Sequence, residues 1–189
     1  MFTGIIKKTS KVQQVLFEKK GMHLQILNNL GKIKLGESLS INGVCSTVKK
    51  VGKNILFEYM PETLKLSNLG LLNKGNTINV ERSMRMSDRL DGHIVLGHID
   101  ETGKIISINE EGNSKVFEIK IKNKIYLVYK ASIAVEGISL TVAKVSKNSF
   151  VVKVLPYTLE HTNLKFKKAG DAVNLEFDIL AKYAYANKK

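Results

Sequence analysis

The chain has 189 residues, with 30 Lys and Arg against 17 Asp and Glu, and a formal net charge of +13. Hydrophobic residues make up 43% and charged ones 25%, the balance of a folded globular protein and not of a disordered or fibrous chain. The single cysteine, Cys45, excludes an internal disulfide and a cysteine-built zinc cage. No apolar run reaches the ~18 residues that would span a bilayer. The charge alone would suit nucleic acid, but arginine occurs only at 82, 85 and 89. The remaining basic residues are scattered lysines without aromatic interleaving, so neither nucleic acid nor membrane is an expected partner.

In chain order, the opening MFTGIIKKTSKV lacks the basic and apolar regions of a secretory signal, so Met1 and Phe2 are expected to pack. Residues 33–51 (IKLGESLSINGVCSTVKKV) and 54–60 (NILFEYM) alternate apolar and polar side chains and read as strands. Gly43 marks a hairpin or bulge within the first of them. A short TLKLSNL segment after Pro61 reads as a helical turn docked on the end of a barrel. The stretch 81–93, ERSMRMSDRLDGH, loses periodicity and gains charge, as a linker does. Residues 132–145 (SIAVEGISLTVAKV) and 149–155 (SFVVKVL) are strand-like again, with Gly137 at the turn. A second helical turn, TLEHTNL, follows Pro156, and the tail 179–189 has helical propensity.

The two halves repeat one another. NGVCSTV at 42–48 recurs as EGISLTV at 136–142, 94 positions on. PETLKLSNLGLLNKGNTINVE at 61–81 aligns with PYTLEHTNLKFKKAGDAVNLE at 156–176 with eight of 21 positions identical. A period near 95 is too long for a solenoid and fits a duplicated domain. Short strands at ~8–12-residue spacing make each copy a small closed β-barrel.

No phosphate-binding glycine loop, metal-ligand spacing or nucleophile elbow is present. What recurs is hydroxyl and thiol. In an alternating strand, residues two apart share a face, so Cys45 points with Thr47, and Ser139 with Thr141. Small polar groups beside a glycine, on one face of each barrel, suit a flat polar heterocycle lying close to the backbone. His98 is the titratable side chain best suited to proton transfer near neutrality.

Taken together, MFTGI, SINGVCSTV, MPETLKLSNLG, GHIVLGHID, VEGISLTV, LPYTLEHTNL and VNLEFDILAKY resemble riboflavin synthase, in order and over nearly the whole chain. The resemblance implies an all-β fold of tandem duplicated six-stranded Greek-key β-barrels with a short C-terminal helix. The expected units are an N-terminal barrel over 1–86, a C-terminal barrel over 87–178 and a helical tail over 179–189. Members of that family bind two molecules of 6,7-dimethyl-8-ribityllumazine and pass a four-carbon unit from one to the other. The products are riboflavin and 5-amino-6-ribitylamino-uracil, and no metal or organic cofactor takes part. The resemblance further implies a cytoplasmic homotrimer, with sites between the N-terminal barrel of one subunit and the C-terminal barrel of another, and an association with lumazine synthase.

By motif match, the N-terminal site would use Phe2, Thr3, Gly4 and Ile5 with Ser38, Cys45, Thr47, Glu62 and Thr63. The C-terminal site would use Lys130, Glu136, Gly137, Ser139, Thr141, Thr158 and Thr162, with Asp178 orienting groups beside it. His98 and Ser139 are the expected proton carriers, and Cys45 is either a transient nucleophile or a polar wall. The chain departs from the family at Asp91, at Glu101 and in its shorter tail, and Tyr157 stands where its own first repeat has Glu62. A non-catalytic lumazine- or flavin-binding protein of the same fold is the alternative, since such a protein needs only one intact barrel site.

Overall fold

The computed structural model describes residues 1–187; positions 188 and 189 of the expected tail lie outside the described residues. The N-terminal half comprises β1 (Lys8–Glu18), β2 (Gly21–Leu27), β3 (Ser38–Ile41), β4 (Val44–Thr47), β5 (Lys50–Val51), β6 (Asn54–Tyr59), helix α1 (Pro61–Leu66), a 3-10 turn (Asn68–Leu71) and β7 (Thr77–Arg82). The C-terminal half repeats this with β8 (Glu101–Glu111), β9 (Ser114–Lys120), β10 (Ser132–Val135), β11 (Ile138–Val145), β12 (Ser149–Val154), α2 (Pro156–His161), a 3-10 turn (Asn163–Phe166) and β13 (Ala172–Phe177). A last helix, α3, runs over Ile179–Ala186. No helix among the described residues is long and apolar enough to cross a membrane.

The second half closes into a six-stranded antiparallel barrel in the order β10-β11-β12-β9-β8-β13. The first half has the same order with one strand interrupted. Its counterpart of β11 breaks after Thr47, so β4 and β5 fall at the two edges of a seven-stranded sheet, β4-β3-β7-β1-β2-β6-β5. At the break, the Val48 and Lys49 N–H groups still donate to the carbonyls of Glu37 and Leu56 at 2.9 Å each, so the cylinder stays nearly shut. Strand β11 carries a bulge at the matching place, between Val142 and Lys144. The expected tandem barrels are therefore present, with the first one split.

Each barrel has its own apolar core, Leu24, Ile26, Leu39, Ile55, Phe57 and Ile78 in the first, Ile119, Ile133, Phe150, Val152, Val173 and Leu175 in the second. The segments after Pro61 and Pro156 are barrel plugs. Leu69 and Leu164 of the two 3-10 turns are buried in these cores, each contributing about 1.5–3 kcal/mol by leaving water. The preceding helices end on matched caps, with Ser67 Oγ donating to the Thr63 carbonyl (2.7 Å) and Thr162 Oγ1 to the Thr158 carbonyl (2.6 Å).

The barrels meet through their hairpins. Asn42-Gly43 and Glu136-Gly137 each place two consecutive residues at positive φ (47° and 87°, 53° and 78°), the geometry of a two-residue hairpin turn that follows strand twist. Asn-Gly is the favoured pair for such a turn; glutamate at positive φ is strained by roughly 1–2 kcal/mol. The compensation lies in its side chain. Glu136 is fully buried, accepting from Asn68 Nδ2 (2.7 Å), Asn163 Nδ2 (2.7 Å) and the Asn174 N–H (2.7 Å), and ion-pairing with Lys167 (3.2 Å). Asn79 joins the same network through the Glu136 carbonyl (3.0 Å) and Asn163 Oδ1 (2.9 Å).

Candidate functional site

Strands β4 and β11 alternate as the sequence reading requires. Val44, Ser46 and Val48 are buried, whereas Cys45 is half-buried and Thr47 exposed. Ile138, Leu140 and Val142 point inward, with Ser139 half-buried and Thr141 exposed. Across the ladders, Ser38 lies opposite Thr47 and Ser132 opposite Thr141. Each barrel thus presents an outward face of small polar groups.

A strap of extended chain overlies each face. Phe2 and Val95 pair antiparallel through two backbone bonds, Phe2 N–H to the Val95 carbonyl (2.7 Å) and the reverse (3.1 Å). From that crossing the strands diverge. The Gly4 carbonyl accepts the Ser139 N–H (2.8 Å), and the Gly97 carbonyl accepts the Cys45 N–H (2.8 Å). A Cβ on Gly4 would fall 2.7 Å from Ser139 Cβ, and one on Gly97 would fall 2.7 Å from Cys45 Cβ, so only glycine allows this approach. Phe2, Val95 and Ala134 form a small buried cluster at the crossing, against which Cys45 packs.

The two straps are held by equivalent carboxylates at the ends of β7 and β13. Glu81 accepts from the Thr3 N–H and hydroxyl (2.7 Å each) and the Gly4 N–H (3.1 Å). Glu176 accepts from the N–H groups of Leu96 (2.7 Å), Gly97 (2.8 Å) and His98 (3.1 Å). Burial pushes both carboxyl pKa values up, and the N–H donors oppose that rise.

The C-terminal face carries a histidine, His93, on the approach to the strap. His93 Nδ1 lies 2.7 Å from Ser139 Oγ, and the ring is only 8% exposed. Its burial lowers its pKa below the ordinary 6.5, against a smaller opposing pull from Asp178. Asp178 also caps α3 by accepting the Leu180 N–H (3.0 Å). His98 stands on the strap over the N-terminal face with its ring exposed, anchored through its backbone to Glu176. Glu62 is exposed and Thr63 half-buried on α1, and Thr158 is half-buried on α2. Lys130 is exposed at positive φ (65°), its N–H donating to the Val142 carbonyl (2.9 Å) beside the C-terminal face.

Other expected site residues are committed inside the protein. The Glu136 carboxylate is enclosed between the barrels, and Gly137 packs backbone to backbone against Gly43. Thr162 is 3% exposed and spends its hydroxyl on the α2 cap. The Thr3 hydroxyl is taken by Glu81 while accepting the Ile5 N–H (3.2 Å), and Phe2 is fully buried at the strap crossing. Sequence reasoning missed His93, Gly97, Glu81, Glu176 and Ser132. The signal for three of them was in the repeat: Glu81 aligns with Glu176, and Ser132 with Ser38.

Two cavities of about 560 and 280 Å³ lie elsewhere, one beside the linker at Thr3, Ile5, Glu81 and Met84, the other between the barrels at Asn68, Phe166 and Lys167. Neither is lined by Cys45, Thr47, Ser139 or Thr141.

Comparison with known proteins follows the same division of the chain. Residues 3–83 and 96–178 each match the family described as Lumazine binding domain. A riboflavin synthase of Actinobacillus pleuropneumoniae is 42% identical over 190 aligned residues, covering 97% of this chain and 87% of its own. The riboflavin synthases of Bacillus subtilis (strain 168) and Escherichia coli (strain K12) are 36% and 37% identical, covering 98% and 94% of this chain and 88% and 87% of theirs. Among solved structures, LumP complexed with 6,7-dimethyl-8-(1'-D-ribityl) lumazine superposes with a TM-score of 0.85 at 22% identity, covering 93% of this chain and 98% of that one. LumP complexed with riboflavin gives 0.86 at 21% identity, covering 94% and 99%. With a lumazine binding domain in each half and such relatives along nearly its full length, the chain belongs to the riboflavin synthase family.

Proposed function

We propose that the protein converts two molecules of 6,7-dimethyl-8-ribityllumazine into riboflavin and 5-amino-6-ribitylamino-uracil, using one polar face from each type of barrel. The four carbons lost by the donor are the four gained by the acceptor, so atoms balance without a co-reactant. The observation that carries the reading is the unequal pair of faces. Both offer a hydroxyl-bearing strand under a glycine strap, but the C-terminal one backs its serine with a buried histidine at 2.7 Å, whereas the N-terminal one has Cys45 in that place.

The chemistry asks little of the protein beyond position and a proton acceptor. The C7 methyl of the lumazine is acidic because the heterocycle delocalises the resulting carbanion. Ser139 Oγ is the atom at the surface of the face, and His93 stands behind it with its pKa lowered by burial. A neutral imidazole at physiological pH takes the proton that the serine relays, and the imidazolium returns one when the donor ring opens. Holding two heterocycles face to face supplies the orientation, worth up to ~7–11 kcal/mol in well-aligned reactions. Cys45 acts as a polar wall in this reading, its side chain packed against the Phe2, Val95 and Ala134 cluster. Ser38, Thr47, Glu62 and Thr63 with His98 serve the N-terminal face, and Lys130, Thr141 and Thr158 with Gly4 and Ile5 the C-terminal one.

In this reading, the N-terminal barrel of one chain (1–86) meets the C-terminal barrel (87–178) of a neighbour in a homotrimer. Support comes from α3, where Leu180 and Tyr183 are 64% and 66% exposed and offer an apolar face for another chain to cover. The same reading puts the protein in the cytoplasm beside lumazine synthase, which supplies its substrate. Growth of flavin absorbance from lumazine alone tests it. Tight lumazine binding without flavin would instead make the protein the non-catalytic carrier.

A further inference from the structure

We infer that Glu81 and Glu176 are crossed positioning residues, the carboxylate of each barrel shaping the ligand face of the other. This rests on the reading above, that the faces at Cys45 and Ser139 receive the heterocycles.

The wiring follows from the hydrogen bonds. Glu81 belongs to the N-terminal barrel, but the segment it holds, Thr3-Gly4, delivers its carbonyl to Ser139 of the C-terminal barrel. Glu176 belongs to the C-terminal barrel, and the segment it holds, Leu96–His98, delivers the Gly97 carbonyl to Cys45 of the N-terminal barrel. Each carboxylate takes three donors, and an ionised carboxylate is an acceptor only, which suits it to a strap whose N–H groups point one way. Because the straps pass within van der Waals distance of Ser139 and Cys45 at glycine, a shift of the strap by a few tenths of an ångström moves those side chains directly. The crossing at Phe2 and Val95, 0% and 1% exposed, keeps the two straps from exchanging partners.

The two clamps are not identical. Glu176 reaches three backbone N–H groups, the last being that of His98, so it also sets where the His98 ring begins. Glu81 reaches two and the Thr3 hydroxyl, and that hydroxyl oxygen in turn accepts the Ile5 N–H. Thr3 is therefore a relay within the first clamp, and its loss should act on the C-terminal face.

Amide hydrogen exchange on the full-length protein, followed at Ser139 and Cys45, tests the crossing without any ligand. Glu81→Gln replaces an acceptor oxygen by an N–H donor, and should accelerate exchange at Ser139 by about tenfold or more while leaving Cys45 within about twofold. Glu176→Gln should do the converse. Thr3→Val, which keeps the carboxylate, should move Ser139 in the same direction by less, and reads the clamp if Glu81→Gln does not fold. Faster exchange at the variant's own barrel, or equally at both positions, would overturn the proposal. Riboflavin titration of the same variants separates the two claims: crossed loss of one class of site supports both. Crossed exchange with unchanged riboflavin affinity would overturn the ligand-face reading and leave the clamps standing.

Discussion

His93 Nδ1 lies 2.7 Å from Ser139 Oγ, across a sequence separation of 46 residues and on only one of the two repeated faces. The contact joins the linker end to strand β11, and in the proposed reaction it sets a buried base behind a half-buried serine. Ser139→Ala and His93→Gln are expected to lower kcat by about 10²-fold or more, the usual worth of a general base, with riboflavin affinity nearly unchanged. His98→Gln should cost less, because the His98 ring is exposed and its backbone does the anchoring. Steady-state kinetics beside riboflavin titration check the ranking, and a larger loss at His98 would reverse the assignment.

The His93 pKa gives this pair a pH signature. Its folded value lies below the ordinary 6.5, chiefly through burial, so the native protein resists protonation there. The stability it contributes is present above 6.5 and is lost as pH falls through the lowered value. The rate should fall in the same direction, since the base is consumed. Urea unfolding at stepped pH between about 5 and 8 should show a shallower acid-side decline in His93→Gln than in the wild type.

Gly43 and Gly137 pack backbone to backbone where the two barrels meet. An added Cβ would meet the Gly137 N at 2.8 Å or the Gly43 N at 2.7 Å, and both glycines have positive φ. Alanine at either position should destabilise by about 3 kcal/mol or more, combining backbone strain with a clash against main chain. Gly112, at φ +59° with nothing within 4 Å, is the control. There, alanine should cost only the strain of positive φ, about 1–2 kcal/mol. Denaturant midpoints of the three variants read the difference.

Glu136 is fully buried in a network that joins both barrels. Glu136→Ala would remove the carboxylate that accepts from Asn68, Asn163 and the Asn174 N–H and pairs with Lys167, and should cost about 3–5 kcal/mol. Removing Glu111, whose ion pair with Lys153 is largely exposed, should change stability by less than about 1 kcal/mol. Thermal unfolding of both variants checks the contrast.

The duplication was readable because its identities are few and functional in the fold. Of the matched residues in 61–81 and 156–176, Leu69 and Leu164 plug the barrels, while Asn68, Asn79, Asn163 and Asn174 knit them together. Glu81 and Glu176 hold the straps. The outward faces of β4 and β11 were readable from strand alternation alone. Strands β1 and β8 carry little apolar periodicity because their outer halves face solvent, so the hairpins they open were hard to read; their partner β2 alternates cleanly, with Met22, Leu24 and Ile26 buried. His98 is exposed on the strap over the N-terminal face, and the strap crossing at Phe2 and Val95 brings His93 to Ser139. That crossing is a tertiary pairing between residues 93 positions apart, which no local pattern reports. Glu136 entered the expected ligand set by motif match alone; in the fold the neighbouring barrel covers it, which no local pattern reports.

The most direct test of the central claim is product stoichiometry from 6,7-dimethyl-8-ribityllumazine as sole substrate, resolved by chromatography. The account predicts one riboflavin and one 5-amino-6-ribitylamino-uracil for every two lumazines consumed, with formation of both slowed in parallel by about 10²-fold or more in Ser139→Ala. Saturable lumazine binding with neither product formed by the wild-type protein would contradict it.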